Sequence, residues 1–423
     1  MDIGKTSAYE AAAFVGNMFW RKFLLVGFLM SSTAVVAIIT VILALVEQYP
    51  QRPFRVQFEW EYINFTWNSA EHASQFGYVA GEDVITGIKV YRDTVYLTLI
   101  RNKTSARVTL ATVSLKDDKH NPLLKPYPNW DFNSGQSCSS LLVHIADVLS
   151  VEIDPNGVLW ALDGTRRSNL TQCPGKLMLF DTNDNGKLIQ TYNFPEEICA
   201  INKRCFLDDL VVDGDWAFIS DITAVDPGIV VYNRFLNKSW KVRDKATMRA
   251  DPLAFNFTLH GVRNIMFGNI NGIALSPVTT NPRLLYYTPQ MSFHIYSIPT
   301  TILKQENVAI GNVSQYVTNH GRKKGATDGM ICDSEGTIYF GLSPLDQINK
   351  WDTSEPLDDS EVIERNSRTL IWPDGFSVYG GYIYVVTNNM LKFREVGINI
   401  TDINFRVMRY RSGTRSYMYP TDL

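Results

Sequence analysis

Acidic and carboxamide residues recur beside glycine at the start of short apolar runs: Asn271-Gly272, Asp328-Gly329 and Asp374-Gly375. Asp147 and Asp209 stand just ahead of two further runs, and Asp163, Asp221, Thr288 and Asn388 close the runs that follow. A single Asp before Gly ordinarily marks a turn or a cap. Gathered at one place, such residues can attract a cation, hold a divalent metal or move protons. Among the six histidines, His144, three residues before Asp147, is the best placed to serve as a general base; no catalytic residue is assigned beyond it. The chain has no GxSxG elbow, HExxH pair or phosphate-binding loop, and no CxxC spacing for zinc.

These residues sit in a repeat. VEIDPNGVLWALD (151–163), LVVDGDWAFISD (210–221), GIALSPVTTNPRLLYYT (272–288), GMICDSEGTIYFG (329–341) and GFSVYGGYIYVVTN (375–388) each hold two apolar runs around a turn. GIKVYRDTVYLTL (87–99) is a weaker first copy, and the copies start 46 to 63 residues apart. Each reads as a β-hairpin, with room per repeat for two more strands. KLMLFDTNDNGKLIQTYNF (176–194) reads as such an outer pair, turning at Asn185-Gly186; its DTNDNG imitates a calcium loop, but the twelfth position is Tyr192 rather than Glu. Six four-stranded units closed in a ring make an all-β six-bladed β-propeller. A β-sandwich gives no reason for six spaced copies.

Folding each hairpin about its turn sets Thr86 beside Leu99, Asp147 beside Asp163, Asp209 beside Asp221, Asn271 beside Thr288, Asp328 beside Leu342, and Asp374 beside Asn388. With the first strand innermost, they ring one mouth of the central channel. Gly87, Gly272, Gly329 and Gly375 follow the ring positions, as crowding near the axis requires. The ring is rich in Asp and Asn and holds no Lys or Arg, which favours a cationic ligand. An aromatic amine suits the aromatic-rich hairpins by stacking or cation–π contact. Trp160, Trp216, Tyr339 and Tyr384 fall mid-strand and read as core between blades, and GRKKG (321–325) as a solvated loop.

The 423 residues include 45% hydrophobic ones and carry a formal charge of −3, with no basic run suited to nucleic acid. Residues 23–46 are uncharged and mostly apolar, directly after Arg21-Lys22. That reads as an N-terminal transmembrane or signal-anchor helix, cleaved or not, with a short cytoplasmic tail at 1–22. Residues 47–423 then form the propeller in the secretory pathway, secreted or anchored as a type II membrane protein. Sequons at Asn64, Asn102, Asn169, Asn237, Asn256, Asn312 and Asn399 fit a glycoprotein. Five cysteines fit an oxidising compartment; Cys199 with Cys205 would leave Cys138 with Cys173, but spacing leaves the pairing open, with Cys332 the fifth.

VLWALDG (158–164), CPGKLMLFD (173–181), NGIALSP (271–277), IYSIPTTIL (295–303), GTIYFGL (336–342), INKWDT (348–353), WPDGF (372–376), TNNMLKF (387–393) and NFRV (404–407), in this order, resemble the yellow and major royal jelly proteins of insects. The resemblance implies a six-bladed propeller, secreted as a rule. Some members bind biogenic amines in the channel and others speed dopachrome conversion in melanin synthesis. Where amine-binding relatives offer an Asn and an aromatic near the last blade, this chain has Thr387-Asn388-Asn389-Met390, keeping the Asn and replacing the aromatic by Met390. Where members often have Cys before the LW(V/A)LD strand, it has Glu152-Ile153-Asp154. The expected function is an extracellular propeller that binds a small aromatic amine or catechol without a cofactor, in pigmentation, cuticle or signalling. Asp147, Asp163, Asp209, Asp221, Asn271, Thr288, Asp328, Asp374 and Asn388 are the expected ligand-binding residues. The alternatives are a dopachrome tautomerase and, less well matched because the ring lacks a clear Glu, a metal-dependent lactonase-like hydrolase using Asp147, Asp209, Asn271 and Asp328.

Overall fold

Two of the inner hairpins owe their turns to an Asp-x-x-Gly pattern. In blade 2, Asp154 Oδ1 accepts the N–H groups of Asn156 and Val158 at 2.9 and 3.0 Å, and Gly157 takes φ 80°. In blade 5, Asp333 repeats this with Glu335 and Thr337 at 3.0 and 2.9 Å, and Gly336 takes φ 89°. A carboxylate that satisfies two turn N–H groups, followed by a residue free to take positive φ, specifies the reversal locally. The Asn185-Gly186 turn forms as expected, with φ 50° and 74°.

The structure, a computed structural model, describes residues 53–101, 108–133, 144–166, 174–199 and 205–420. The expected anchor at 23–46, Cys138, Cys173, Asn102 and Asn169 lie outside them. Among the described residues, no helix is long and apolar enough to cross a membrane.

Six antiparallel sheets form the blades, built from four strands each and numbered here in chain order from their innermost strands, Asp83–Tyr91, Ser150–Ile153, Cys205–Asp213, Ile270–Leu275, Met330–Cys332 and Pro373–Tyr379. Blade 3 carries a fifth short strand, Thr165–Arg166. Blade 6 takes its outermost strand, Phe54–Trp60, from the start of the described chain, paired with Phe405–Arg411. That pairing closes the ring and covers a sheet edge. Consecutive inner strands abut around the axis, including blade 6 against blade 1. Trp160, Tyr339 and Tyr384 are buried between blades, while Trp216 is partly buried against Trp240. A separate hairpin, Asn256–Leu259 with Val262–Ile265, lies between blades 3 and 4 in sequence and outside both sheets.

Cys199 and Cys205 form a disulfide, and Cys332 is a buried free thiol. Of the described sequons, Asn237, Asn256, Asn312 and Asn399 are exposed, whereas Asn64 Oδ1 accepts the Trp67 indole N–H at 2.9 Å. The GRKKG stretch is not uniformly solvated. Lys323 is buried, its ammonium donating to the carbonyls of Ser292 and Gly325, and burial pushes its pKa down to about 7. The fold turns that one side chain inward because a carbonyl of its own loop and one of a neighbouring loop satisfy it.

The glycines after the ring positions set how closely blades approach. A Cβ on Gly272 would stand 2.8 Å from the Asp328 carbonyl oxygen, and one on Gly375 2.7 Å from the Thr86 carbonyl oxygen. At Gly329 it would collide with the Asp374 carbonyl group. Because the obstacle is backbone, Gly329→Ala is expected to destabilise the propeller by about 2–4 kcal/mol, read as a lowered urea midpoint with unchanged slope. An unchanged midpoint would refute the close-approach account.

Candidate functional site

The inner strands open on a cavity of about 800 Å3 at the channel end where the first strands begin. Its wall draws on every blade: Thr86, Ser150, Asp209, Asn271, Asp328 and Asp374 each come from a different one. Phe206, Met266, Phe267, Trp372, Phe376 and Met390 supply apolar and aromatic surface, and Asp208, Glu196 and Glu197 add acid.

Asp328 is the most tightly held carboxylate. Its Oδ1 accepts Asn271 Nδ2–H at 2.5 Å and Gln290 Nε2–H at 2.7 Å, and its Oδ2 accepts the Trp372 indole N–H at 2.6 Å. Burial raises its pKa against the pull of these donors. Asp374 lies beside it in the wall and is pushed well above the usual carboxylate range, first by burial and then by the Asp328 charge, while Asn388 donates to its Oδ2 at 3.0 Å. Its three N–H donors favour the anion at Asp328, whereas Asp374, pushed up by burial and by the Asp328 charge, keeps its proton more readily. Asp209 is pushed up to about 6 by burial, offset first by Lys89 and then by the Ser150 hydroxyl, which donates to it at 3.0 Å.

Of the nine expected ligand residues, Asp209, Asp221, Asn271, Asp328 and Asp374 line the cavity. Asp147, Asp163, Thr288 and Asn388 are buried and do not form part of its wall. Asp163 accepts the N–H groups of Ala146 and Asp147 at 2.9 and 3.0 Å and pairs with Lys176 at 2.8 Å. The Thr288 hydroxyl donates to the His294 carbonyl at 2.8 Å. Asn388 bridges blades by donating to the Ile85 carbonyl at 3.0 Å as well as to Asp374. The ends of the second strands lie one strand out from the axis, so the polar groups of Asp163, Thr288 and Asn388 brace the strands and loops around the channel, and only Asp221 among them reaches the cavity. His144 is half-buried, its ring 6.1 Å from Phe132, and does not line the cavity.

Two expectations about the ring are corrected. Register shifts interrupt the inner strand at the ring positions of blades 1, 3, 4 and 6. In blade 3 the shift sets Asp221 opposite Leu207 instead of Asp209, because bulged residues break the equal count from the turn. The cavity also holds cations: Lys89, Lys241 and Arg394. Lys241 reaches in from the outermost strand of blade 3 to pair with Asp221 at 2.6 Å, and Arg394 comes from the helix Met390–Val396, both outside the hairpin repeat.

Gln290, Trp372, Asp208 and the Met266-Phe267 pair were not foreseen. Trp372 precedes Pro373-Asp374 within a quoted motif, but only the fold aims its indole at Asp328. Met266 and Phe267 follow the extra hairpin, which has no counterpart in the repeat. The four residues read as metal ligands do not converge. Asp147 does not line the cavity, both oxygens of Asp328 take N–H donors, and Asp209 Oδ1 accepts from Ser150 and Leu210. Among the described residues, no three His, Cys, Asp or Glu side chains are grouped to hold a metal ion.

The profile of the family described as "Major royal jelly protein" matches residues 147–416. Major royal jelly protein 9 of Apis mellifera is 26% identical over 84% of this chain and 87% of its own length. A dopaminechrome tautomerase of Drosophila melanogaster is 25% identical over 84% and 81%, and protein yellow of Drosophila guanche 25% over 84% and 66%. With the profile spanning more than half of the residues and six blades in place, the chain belongs to the yellow and major royal jelly protein family.

Proposed function

We propose that this propeller binds a small cationic aromatic molecule, an amine or an amine-bearing catechol, in its central cavity. The observation that carries the reading is the pairing of acid with aromatic surface in one cavity: Asp208 and Asp209 beside Phe206, Phe267 and Trp372. A volume of about 800 Å3 is in the range of small-molecule sites. The acids outnumber Lys89, Lys241 and Arg394, and Lys241 is already engaged by Asp221 and Asp226. Met390 lines the cavity where amine-binding relatives offer an aromatic, so Phe267 and Trp372 carry the stacking role here. The Cys199–Cys205 disulfide supports an oxidising compartment, hence an extracellular protein, with residues 23–46 as its signal or anchor. A role in pigmentation, cuticle or signalling follows from the family.

A second reading, a dopachrome-type tautomerase, is favoured by the Asp328–Asp374 pair and by the similarity to a dopaminechrome tautomerase. A tautomerisation removes a proton from carbon and returns one to oxygen, with no net redox change. A carboxylate that accepts a proton and a neighbouring carboxyl that gives one can between them supply both transfers.

Titration calorimetry with dopamine and serotonin tests the first reading, and no heat at high micromolar ligand would sink it. A cation beside Asp209 favours its ionised form and so releases the proton held below about pH 6. Affinity is therefore expected to rise between pH 5 and 7 and to level off above, and Asp209→Asn to flatten that rise. For the second reading, loss of dopachrome absorbance should exceed that with boiled protein and fall by about 100-fold in Asp374→Asn. A rate no faster than the boiled control would dismiss catalysis.

A further inference from the structure

The far end of the channel, where the hairpin turns gather, is crossed by residues 412–420. Ser334 N–H donates to the Arg415 carbonyl at 2.8 Å, and Arg415 N–H to the Ser334 hydroxyl at 3.2 Å. The Tyr417 carbonyl accepts Val278 N–H at 2.9 Å and the Arg283 guanidinium at 3.0 Å. Its side chain is 1% exposed, and its hydroxyl accepts Val212 N–H and donates to Glu152 Oε2, both at 3.0 Å. This short segment thus ties together blades 2, 3, 4 and 5.

Lys89 and Ile331 form the floor of the ligand cavity. The same two residues line a second cavity of about 20 Å3, whose wall includes Ser416, Met418 and Tyr419 of the C-terminal segment. Glu152 lies at this level. Its Oε2 takes Lys89 Nζ at 3.0 Å as well as the Tyr417 hydroxyl, and its Oε1 takes Ile153 N–H at 3.0 Å. The Lys89 and Glu152 side chains are only 12% and 4% exposed, so neither charge is screened by bulk water. Asp209 makes its own hydrogen bonds, with Ser150, Leu210 and Ile273, and none with Lys89.

We propose that Glu152, held by Tyr417 of the C-terminal segment, is a positioning residue that pins the Lys89 ammonium at the channel floor and leaves the Asp209 carboxylate to meet a cationic ligand. The proposal rests on the reading of the cavity as a cation site. Lys89 is a flexible point charge; freed from Glu152, it would turn to the nearest wall carboxylate and neutralise it internally. The C-terminal segment then does more than close the channel, since its tyrosine sets the charge balance one layer above.

The test uses the full chain with Glu152→Gln, Lys89→Met, the double variant and Tyr417→Phe. Glu152→Gln should weaken dopamine binding about tenfold, one charge contact at the site. The double variant should recover wild-type affinity, because no ammonium remains to compete. Tyr417→Phe should shift affinity in the same direction as Glu152→Gln, by less. Carbon-13 titration of the Asp209 carboxyl, without ligand, should give a lower midpoint in Glu152→Gln and a wild-type or higher midpoint in the double variant. Failure of the wild type to bind dopamine would overturn the cavity reading, while the Asp209 titration still decides the pinning. An unchanged Asp209 midpoint in Glu152→Gln, or binding as weak in the double variant as in Glu152→Gln, would overturn the proposal.

Discussion

The close approach of six inner strands around one axis is the constraint on which this structure depends. Backbone of one blade lies where a side chain of the next would stand: the Leu149 carbonyl against Gly87, Asp328 against Gly272, Asp374 against Gly329 and Thr86 against Gly375. Only glycine admits that contact. The same crowding brings the residue before each glycine to the channel and removes most of its water. A carboxylate so placed must find hydrogen-bond donors or hold its proton. Asp328 takes the first course through Asn271, Gln290 and Trp372, while burial and the Asp328 charge push Asp374 towards the second.

Charge compensation follows from the same crowding. The Asp that ends the second strand is buried in blades 2 and 3, and each is met by a lysine from farther out, Lys176 at 2.8 Å and Lys241 at 2.6 Å. A buried carboxylate without such a partner would be costly, which explains why the lysines arrive from different strands yet end at equivalent places. At the floor, Lys89 and Glu152 compensate each other beneath the cavity. Asp208 and Asp209 line the cavity together with aromatic side chains, so that acid and apolar surface meet in one wall.

Much of this was legible from residues close in the chain. Asp154 and Asp333 each shape their own turn within four residues, so a local reading finds those hairpins. The repeat of such hairpins carried the blade count. Asp221 shows where that reasoning stops: counting from the turn pairs it with Asp209, but the bulge in the inner strand pairs it with Leu207. Lys323 shows the same limit, since a basic run reads as solvated until the distant Ser292 carbonyl is seen to receive it beside the nearby Gly325 carbonyl.

The sequence by itself determined the hairpins, their number and the glycines that let them meet, because turn chemistry and strand alternation act over a few residues. Only the tertiary structure decided which polar groups reach the axis and which brace the strand behind it. It also brought Gln290 and Trp372 to Asp328, Lys241 to Asp221 and Tyr417 to Glu152. Those contacts join residues 20 to 265 positions apart, and their partners are chosen by ring closure and desolvation, which no local pattern encodes.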